Sequence, residues 1–428
     1  MTNIIELSSA RGLDEEAYDV CVSDLGATGL PLAVGLARAG LRVLGIDDDA
    51  MRVAAVNGGR LHQVDRALAA VLRHEVEERR LTASLTPRPA KVFIVTNPAD
   101  ASTDDISQPD YGVLERALEK IASVLQGDEL LILESSGPPG MTARADAVLH
   151  EFHGSQASAK PWDLDIAFAG ERSRPGRSLE DVASTRTVGG LTSRATNRAA
   201  DFYQRHLGAE VLPTDHRVAE MVKLVENAFR DLNIAFANEL SMVCGDVGIN
   251  VWDVIDIANR HPRVEILRPG SGVGGNGVAL DPRFLISADP VRTRLIQAAR
   301  GVNEAKPGWI VDHVAAAVGQ RGVIACMGLT AKPGTDLFDS SPALDIARTI
   351  SERFPGRVVC TDPYQDMLLD ERGLDLVDTD TAFENADVVV FLVAHDQYRK
   401  FRPEAGKLLI DLCGATDSTG YMIVPGSA

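Results

Sequence analysis

The sequence lacks any long hydrophobic run. No stretch of about 18 consecutive apolar residues occurs in it, which excludes a membrane-spanning helix. The first segment, residues 1–18, is polar and acidic, so we expect no signal peptide. These absences predict a cytoplasmic protein without a membrane partner.

Basic residues are scarce relative to acidic ones. The chain has 43 Lys and Arg against 61 Asp and Glu, a formal net charge of −18 at pH 7. Such a surface repels the phosphate backbone of DNA and RNA, so we expect no nucleic-acid partner. A small phosphorylated substrate remains compatible, because local cations and helix N-termini can offset the overall charge.

Cysteine is also scarce, with five in 428 residues. Each lies within an apolar run and none has the spacing of metal ligands. This favours small core residues in a reducing compartment and predicts no metal site. The five are Cys21, Cys244, Cys326, Cys360 and Cys413.

The length and patterning predict several domains, because a single hydrophobic core rarely extends over 428 residues. About the first 200 residues alternate short apolar runs with helical patterns, as in a doubly wound α/β sheet. Predicted parallel strands are residues 19–23, 42–46, 92–95, 130–133 and 166–168, with helices at 31–39 and 111–125.

Helical spacing dominates the middle of the chain. It predicts a long helix over residues 218–247, a natural surface for a two-fold dimer. A glycine-rich loop and another helix follow, and strand-like runs return at 323–327, 358–362, 388–393 and 408–412. We therefore predict an N-terminal Rossmann-like α/β domain (1–210), a central long-helix dimerisation domain (211–308) and a C-terminal α/β domain (309–428).

A glycine-containing turn follows the first predicted strand, with the sequence DLGATG beginning at Asp24. The next strand ends at Asp47, 18 residues after Gly29. This is the layout of the Rossmann fingerprint, in which Gly26 admits the pyrophosphate, Gly29 packs helix on strand and Asp47 binds ribose hydroxyls. The acid favours NAD over NADP, because it would repel a 2′-phosphate.

The first glycine of the fingerprint is replaced by Asp24. Its side chain adds bulk and negative charge near the cofactor, although Asp tolerates unusual backbone angles better than most residues. Two hypotheses follow: the turn still binds NAD, or the domain no longer binds a dinucleotide.

Short motifs occur in a fixed order along nearly the whole chain. They are GATGLP (26–31), ESSGPPG (134–140), GER (170–172), KLVEN (223–227), HPR (261–263), GVGG (272–275), DP (281–282), AKP (331–333) and SPA (341–343). In these motifs the chain resembles the UDP-glucose/GDP-mannose dehydrogenase family, most nearly its UDP-N-acetylmannosamine dehydrogenase branch. The resemblance implies NAD as cofactor, a UDP- or GDP-linked sugar as substrate, a C-terminal nucleotide-sugar-binding domain and a homodimer.

The family performs two successive hydride transfers to NAD at carbon six of the sugar. A cysteine thiolate captures the intermediate aldehyde, and the resulting thioester is hydrolysed. The thiolate is needed because an aldehyde cannot give up a second hydride until a nucleophile makes its carbon tetrahedral.

The resemblance implies a catalytic set. Lys223 and Asn227 would stabilise the developing alkoxide, and Asp281 would assist proton transfer through water. Glu171 would lie near the reacting carbon, and Ser136 stands where the family has a water-positioning threonine. The alternative for Lys223 and Asn227 is a solvated helix face.

The resemblance also implies binding residues. Lys332 would approach the substrate from the C-terminal domain, and Arg263 would reach it across the dimer. The remaining candidates are Gly26, Thr28, Gly29, Asp47, Asn97 and Glu134 for the cofactor, and Gly274, Gly275 and Gly277 for the substrate.

Several positions depart from the family pattern. The family's cysteine falls on Gly277 and its common histidine on Asn276, and none of the five cysteines lies in this loop. Asp339 stands where arginine is usual, and Asn97 replaces a threonine near the nicotinamide.

Three functional hypotheses remain. In the first, the chain oxidises a carbinol to a carbonyl and stops; the carbonyl is released, or is transient and leads to epimerisation or dehydration with NAD regenerated. Gly277 would then also make room for a substrate bulkier at carbon six. In the second, the chain is an inactive binding or regulatory homologue. In the third, it is an ordinary four-electron dehydrogenase that uses another nucleophile.

Overall fold

The computed structural model describes most of the chain. The described residues are 18–60, 65–97, 100–101, 109–154, 162–172, 178–275, 277–319, 322–368, 373–402 and 406–416. The expectations for residues 1–17 and for Asn276 lie outside them. Among these ranges, none of the helices has a hydrophobic stretch that could span a bilayer.

The described residues of the N-terminal part form ten strands and seven helices. The strands are β1 (Tyr18–Ser23), β2 (Val43–Ile46), β3 (Leu81–Ser84), β4 (Ala90–Val95), β5 (Asp100–Ala101), β6 (Pro109–Asp110), β7 (Leu130–Leu133), β8 (Asp165–Ala169), β9 (Arg186–Gly190) and β10 (Val211–Asp215). The helices are α1 (Gly29–Arg38), α2 (Ala50–Asn57), α3 (Arg66–Glu77), α4 (Gly112–Ala122), α5 (Met141–Gly154), α6 (Ser178–Asp181) and α7 (Ser193–Leu207).

Eight of these strands form one sheet in the order β10-β9-β8-β7-β4-β1-β2-β3, whereas β5 and β6 pair only with each other. All neighbours in the large sheet are parallel except β8 and β9. From β1 the chain runs outward to β2 and β3 and then returns to β4 on the other side of β1. The gap between β1 and β4 is therefore the topological switch point, where open α/β sheets bind ligands at their carboxyl ends.

Both faces of the large sheet are covered, which explains why its strands are almost continuously apolar. All four residues of β2 and of β7 are buried. Helix α1 packs in the core on one face, and α4 and α5 pack in the core on the other. The fold-class prediction of a Rossmann-like sheet is confirmed.

The central part consists of α8 (His216–Asp246), α9 (Val251–Ala258), α10 (Asp281–Ala288) and α11 (Arg294–Val318). The Asp215 side chain caps α8 by accepting the Arg217 amide. A buried ion pair between Asp231 and Arg300, 2.8 Å apart, ties α8 to α11. The predicted long helix is present.

The C-terminal part contains β11 (Ile324–Met327), α12 (Pro342–Arg353), β12 (Val358–Thr361), α13 (Thr379–Asn385), β13 (Val388–Phe391) and β14 (Leu408–Asp411). Its parallel sheet has the order β12-β11-β13-β14. The second half of α11 packs in its core through Ile310, Val311, Val314 and Val318. One helix is thus shared by two parts of the molecule, and the exact domain boundaries stay predictions.

Candidate active site

The turn after β1 is shaped by a close approach of backbone to backbone. Asp24 has a φ of 73°, in the left-handed region. A Cβ at Gly29 would lie 1.8 Å from the Asp24 carbonyl oxygen, so only glycine fits where α1 begins. The tight helix–strand packing expected at Gly29 is what the structure shows.

The turn also presents free backbone donors. The amides of Ala27 and Thr28, directly before α1, have no acceptor in the described part of the chain. Helix N-termini with unpaired amides bind phosphate groups, because the amides and the helix dipole favour negative charge. The turn therefore fits the pyrophosphate of a dinucleotide.

Asp47 ends β2 beside this turn. Its carboxylate accepts the amides of Leu25 (2.9 Å) and Asp49 (2.8 Å) and pairs with Arg52 at 2.9 Å. Burial opposes ionisation, but the two amides and Arg52 outweigh it and lower the pKa of Asp47 below its usual value. The fixed, ionised carboxylate suits ribose hydroxyls.

The Asp24 carboxylate is the one group of the turn that opposes an anion. It accepts the Gly26 amide at 3.1 Å and lies 3.6 Å from Arg52. Burial, and next the neighbouring Asp47, raise the pKa of Asp24 to about 6. At neutral pH it therefore places a negative charge in a turn that otherwise fits the cofactor.

The five candidate catalytic side chains meet in one cluster. Asn227 of α8 donates to Asp281 of α10 at 2.5 Å, and Ser136, after β7, donates to the same oxygen at 3.2 Å. Lys223, one turn before Asn227, donates to the Glu171 carbonyl at 2.6 Å and its carboxylate at 3.1 Å. The cluster lies where the carboxyl edge of the N-terminal sheet meets α8 and α10.

Asp281 has the chemistry of a general base. Its side chain is fully buried, and its Oδ1 has no partner within the described ranges. Burial raises the pKa of Asp281 to about 6, although Lys223 and the two hydrogen bonds oppose the shift. A carboxylate with such a pKa can accept a proton near neutral pH.

Gly277 faces this cluster. A Cβ at this position would have one neighbour within 4 Å, the Asn227 Nδ2 at 3.3 Å. Its φ is not positive, so the backbone does not require glycine. The cysteines lie in β1, α8, β11 and β12 and after β14, and Cys244 of α8 is 17 residues beyond Asn227. A side chain at position 277 would contact Asn227 in the cluster.

The glycine loop is held against the C-terminal part. A Cβ at Gly274 would lie 2.1 Å from the Ser340 carbonyl oxygen, so this close approach requires glycine. Ser271, three residues earlier, donates to the Leu392 carbonyl at 2.5 Å. Gly275 follows in the same loop. These contacts hold residues 271–274 of the loop against the C-terminal part.

Lys332 lies in the loop after β11. It is partly buried, and burial followed by the nearby charge of Arg230 lowers the pKa of Lys332, whereas Glu171 opposes the shift. The charges of Arg230 and Glu171 thus both act on the Lys332 ammonium group. The sequence analysis missed Arg230, although its position three residues after Asn227 on the same helix was a signal for it.

For the other predicted residues, the structure shows only their neighbours within the chain. Glu134 is buried, pairs with Arg186 at 3.0 Å and accepts the Tyr203 hydroxyl at 2.5 Å. It lines a cavity with Thr28 and Glu171. Its direct contact with the cofactor stays a prediction.

Asn97 follows β4 and accepts the Ser23 hydroxyl at 2.6 Å. Arg263 is exposed after α9, and the contacts among the described residues do not bring it to the cluster. Asp339 is exposed beside Ser340. The roles of these side chains also stay predictions.

The switch-point turn suits a dinucleotide and the buried cluster suits proton transfer, which together are features of an NAD-dependent dehydrogenase. Three family models match the chain: the NAD binding domain at residues 18–207, the central domain at 217–305 and the UDP binding domain at 325–418. The chain therefore belongs to the UDP-glucose/GDP-mannose dehydrogenase family. Its cofactor is NAD and its substrate class is the nucleotide sugars.

Individual relatives match over nearly their whole length. The UDP-N-acetyl-D-mannosamine dehydrogenase of Yersinia pestis is 41% identical over 402 residues, 90% of this chain and 95% of the relative. The NDP-N-acetyl-D-galactosaminuronic acid dehydrogenase of Ralstonia nicotianae is 39% identical, covering 94% and 97%. The solved UDP-D-ManNAc dehydrogenase of Pyrococcus horikoshii is 31% identical with a TM-score of 0.82, covering 92% and 95%.

Alanine substitutions in the glycine loop test the packing described above. We expect Gly274→Ala to lower the thermal unfolding temperature by several degrees, because its Cβ meets a backbone oxygen at 2.1 Å. In the matched Gly277→Ala variant the added Cβ meets only the Asn227 amide group, at 3.3 Å. We therefore expect this variant to unfold at nearly the same temperature as the unaltered protein. Equal unfolding temperatures for the two variants would contradict this arrangement.

A second prediction concerns Asp24 and pH. Its carboxyl is neutral below about pH 6 and negative above it, so NAD affinity should fall as the pH rises through about 6. We expect a loss on the order of tenfold between about pH 5 and about pH 8, measured by calorimetry. Asp24→Asn keeps the turn but removes the charge, and it should flatten the profile. Asp281→Asn is the control. If the pH profile of NAD affinity were unchanged in Asp24→Asn, the assignment of the pH dependence to Asp24 would be refuted.

Proposed function

We propose that this chain uses NAD to oxidise a carbinol of a nucleotide sugar, at carbon six, to a carbonyl, and that it does not carry out the cysteine-dependent second oxidation. The observation that carries the proposal is Gly277. It faces Asn227 and Asp281, where a thiol would have to stand, and it offers no nucleophile.

Besides NAD, the first oxidation needs three side chains, and all three are present. NAD, when bound, takes up the hydride from the carbinol carbon. Lys223 and Asn227 supply the cation and the amide donor that stabilise the developing alkoxide. Asp281 accepts the hydroxyl proton, directly or through water held by Ser136. The carbinol thus loses one hydride and one proton, and the products are a carbonyl, NADH and a proton.

The carbonyl has more than one fate. It acidifies the neighbouring C–H, and the unpaired oxygen of Asp281 supports proton removal there. Returning the proton to the opposite face gives an epimer, whereas expelling an adjacent hydroxyl removes water. If hydride then returns to the carbonyl, NAD is regenerated and no net oxidation occurs.

Two observations favour a second candidate, an inactive binding homologue. The Asp24 carboxylate occupies the Gly26 amide, and Asp339 puts a negative charge where the family has a positive one. The intact cluster around Asp281 argues against it, because a buried carboxylate with an unpaired oxygen is costly to keep without a use. The names of the relatives support a third candidate, a complete dehydrogenase.

We also propose a homodimer through α8. Large apolar side chains form an exposed stripe along this helix and its C-cap: Val218, Met221, Val225, Phe229, Phe236, Val243 and, at the cap, Val247. Monomeric proteins rarely expose such a continuous apolar surface. A second copy related by a two-fold axis would cover it, and Arg263 would then be available to the neighbouring site.

Product analysis tests the proposed reaction. Purified protein with NAD and a panel of UDP-sugars should form no uronic acid. We expect either one NADH per sugar with a carbonyl product, or a product isomeric with the substrate or one water lighter.

A matched pair of lysine variants accompanies this test. Lys223→Ala should slow either reaction on the order of a hundredfold or more, because the alkoxide loses its nearest cation. The exposed Lys91→Ala is the control. Uronic acid with two NADH per sugar would refute the proposal, and the absence of both NAD binding and turnover would support the inactive homologue.

Sedimentation tests the dimer. Phe236→Glu places a charge in the middle of the apolar stripe and should convert a dimer into a monomer at micromolar concentration. Leu85→Glu, an exposed apolar residue outside α8, should leave the dimer intact. An unaltered protein that sediments as a monomer would remove the proposal.

A further inference from the structure

The loop between β11 and α12 carries Lys332 and is fixed by a buried network. The amides of Leu329 and Thr330 donate to one oxygen of Asp362, at 2.7 and 3.2 Å. The side chains of Thr330, Asp362 and His395 are fully or almost fully buried. This network lies in the C-terminal part, outside the catalytic cluster.

The contacts of His395 define its tautomer. Its Nδ1 lies 3.2 Å from the Gly334 amide nitrogen. A backbone amide can only donate, so Nδ1 must be the acceptor and the ring proton must be on Nε2. Nε2 faces the Thr330 hydroxyl at 3.0 Å and Asp362 at 3.2 Å, and both can accept that proton.

The same network ends on the backbone of Lys332. Its carbonyl accepts the hydroxyls of Thr330 at 3.1 Å and Thr335 at 2.9 Å. Thr330 donates its proton to Lys332 and is therefore free to accept the proton of His395 Nε2. His395 thus holds the loop at two points, through Thr330 and through Gly334, on either side of Lys332.

We infer that His395 is a positioning residue: in its Nε2-protonated neutral form it holds Lys332 against the substrate site through Thr330 and Gly334. The inference rests on the proposed substrate-binding role of Lys332. Because Lys332 extends from a loop, the position of its ammonium group depends on the shape of that loop, which these hydrogen bonds fix.

His395 also packs against Tyr364 and Tyr398, with ring centroids 5.6 and 5.5 Å away, so its removal could act through stability alone. A double-mutant cycle separates the two effects. His395→Gln can retain a donor toward Thr330 but loses the acceptor for the Gly334 amide. Thr330→Val removes the link to Lys332 at nearly constant volume and leaves His395 in place.

The experiment is calorimetric titration of the full-length, NAD-loaded protein with UDP-N-acetyl-D-mannosamine. Lys332→Met should weaken binding on the order of tenfold or more, because it removes a charge-assisted contact. His395→Gln and Thr330→Val should each weaken it severalfold. In the Lys332→Met background neither substitution should weaken it further, since no ammonium group remains to be positioned.

The controls are NAD affinity, which should not change, and Lys400→Met, an exposed lysine of the same part of the chain. If His395→Gln and Thr330→Val weaken nucleotide-sugar binding as much in the Lys332→Met background as in the unaltered protein, their role is merely structural and the inference is overturned. The inference would also be overturned if Lys332→Met lost affinity for the nucleotide sugar while His395→Gln and Thr330→Val kept it. An unchanged affinity in Lys332→Met would refute the role of Lys332 itself, whereas the carbonyl chemistry is judged separately by the product analysis.

Discussion

The hydrogen bond between Asn227 and Asp281 is the contact on which the site depends. It joins α8 to α10 across 2.5 Å, and the Ser136 hydroxyl adds the N-terminal sheet to the same carboxylate oxygen. A buried carboxylate is costly unless such donors hold it, and here burial still dominates and raises the pKa of Asp281 to about 6. The packing of three elements thus produces a carboxylate able to exchange protons.

The position of α10 also fixes residue 277. The Asp281 amide donates to the Gly277 carbonyl at 2.9 Å, so the start of α10 sets the direction in which a side chain at 277 would point. That direction leads to Asn227. With Lys223 held by Glu171, the arrangement supports transfer of one hydride and one proton. The second oxidation would need a nucleophile, and glycine has none to offer.

Periodicity predicted the elements whose pattern is strong. The long helix and the apolar strand β7 are present with nearly the predicted bounds. Five strands were missed, because β5 and β6 have only two residues each, β3 is short and mixed, β9 ends in two glycines and β10 is an exposed edge strand containing Pro213. The cluster was predicted only through the family resemblance, since its contacts join residues more than 50 positions apart. The pairings of His395 with Thr330 and Gly334 leave no periodic signal.

The central claim concerns the oxidation state of carbon six, and nuclear magnetic resonance of a UDP-sugar labelled with carbon-13 at that position measures it directly. After incubation of the unaltered protein with substrate and NAD, the account predicts signals of an aldehyde, its hydrate or a CH₂OH group, and no carboxylate. A carboxylate signal that grows with NADH would contradict it and would show that another nucleophile takes the place of the missing thiol.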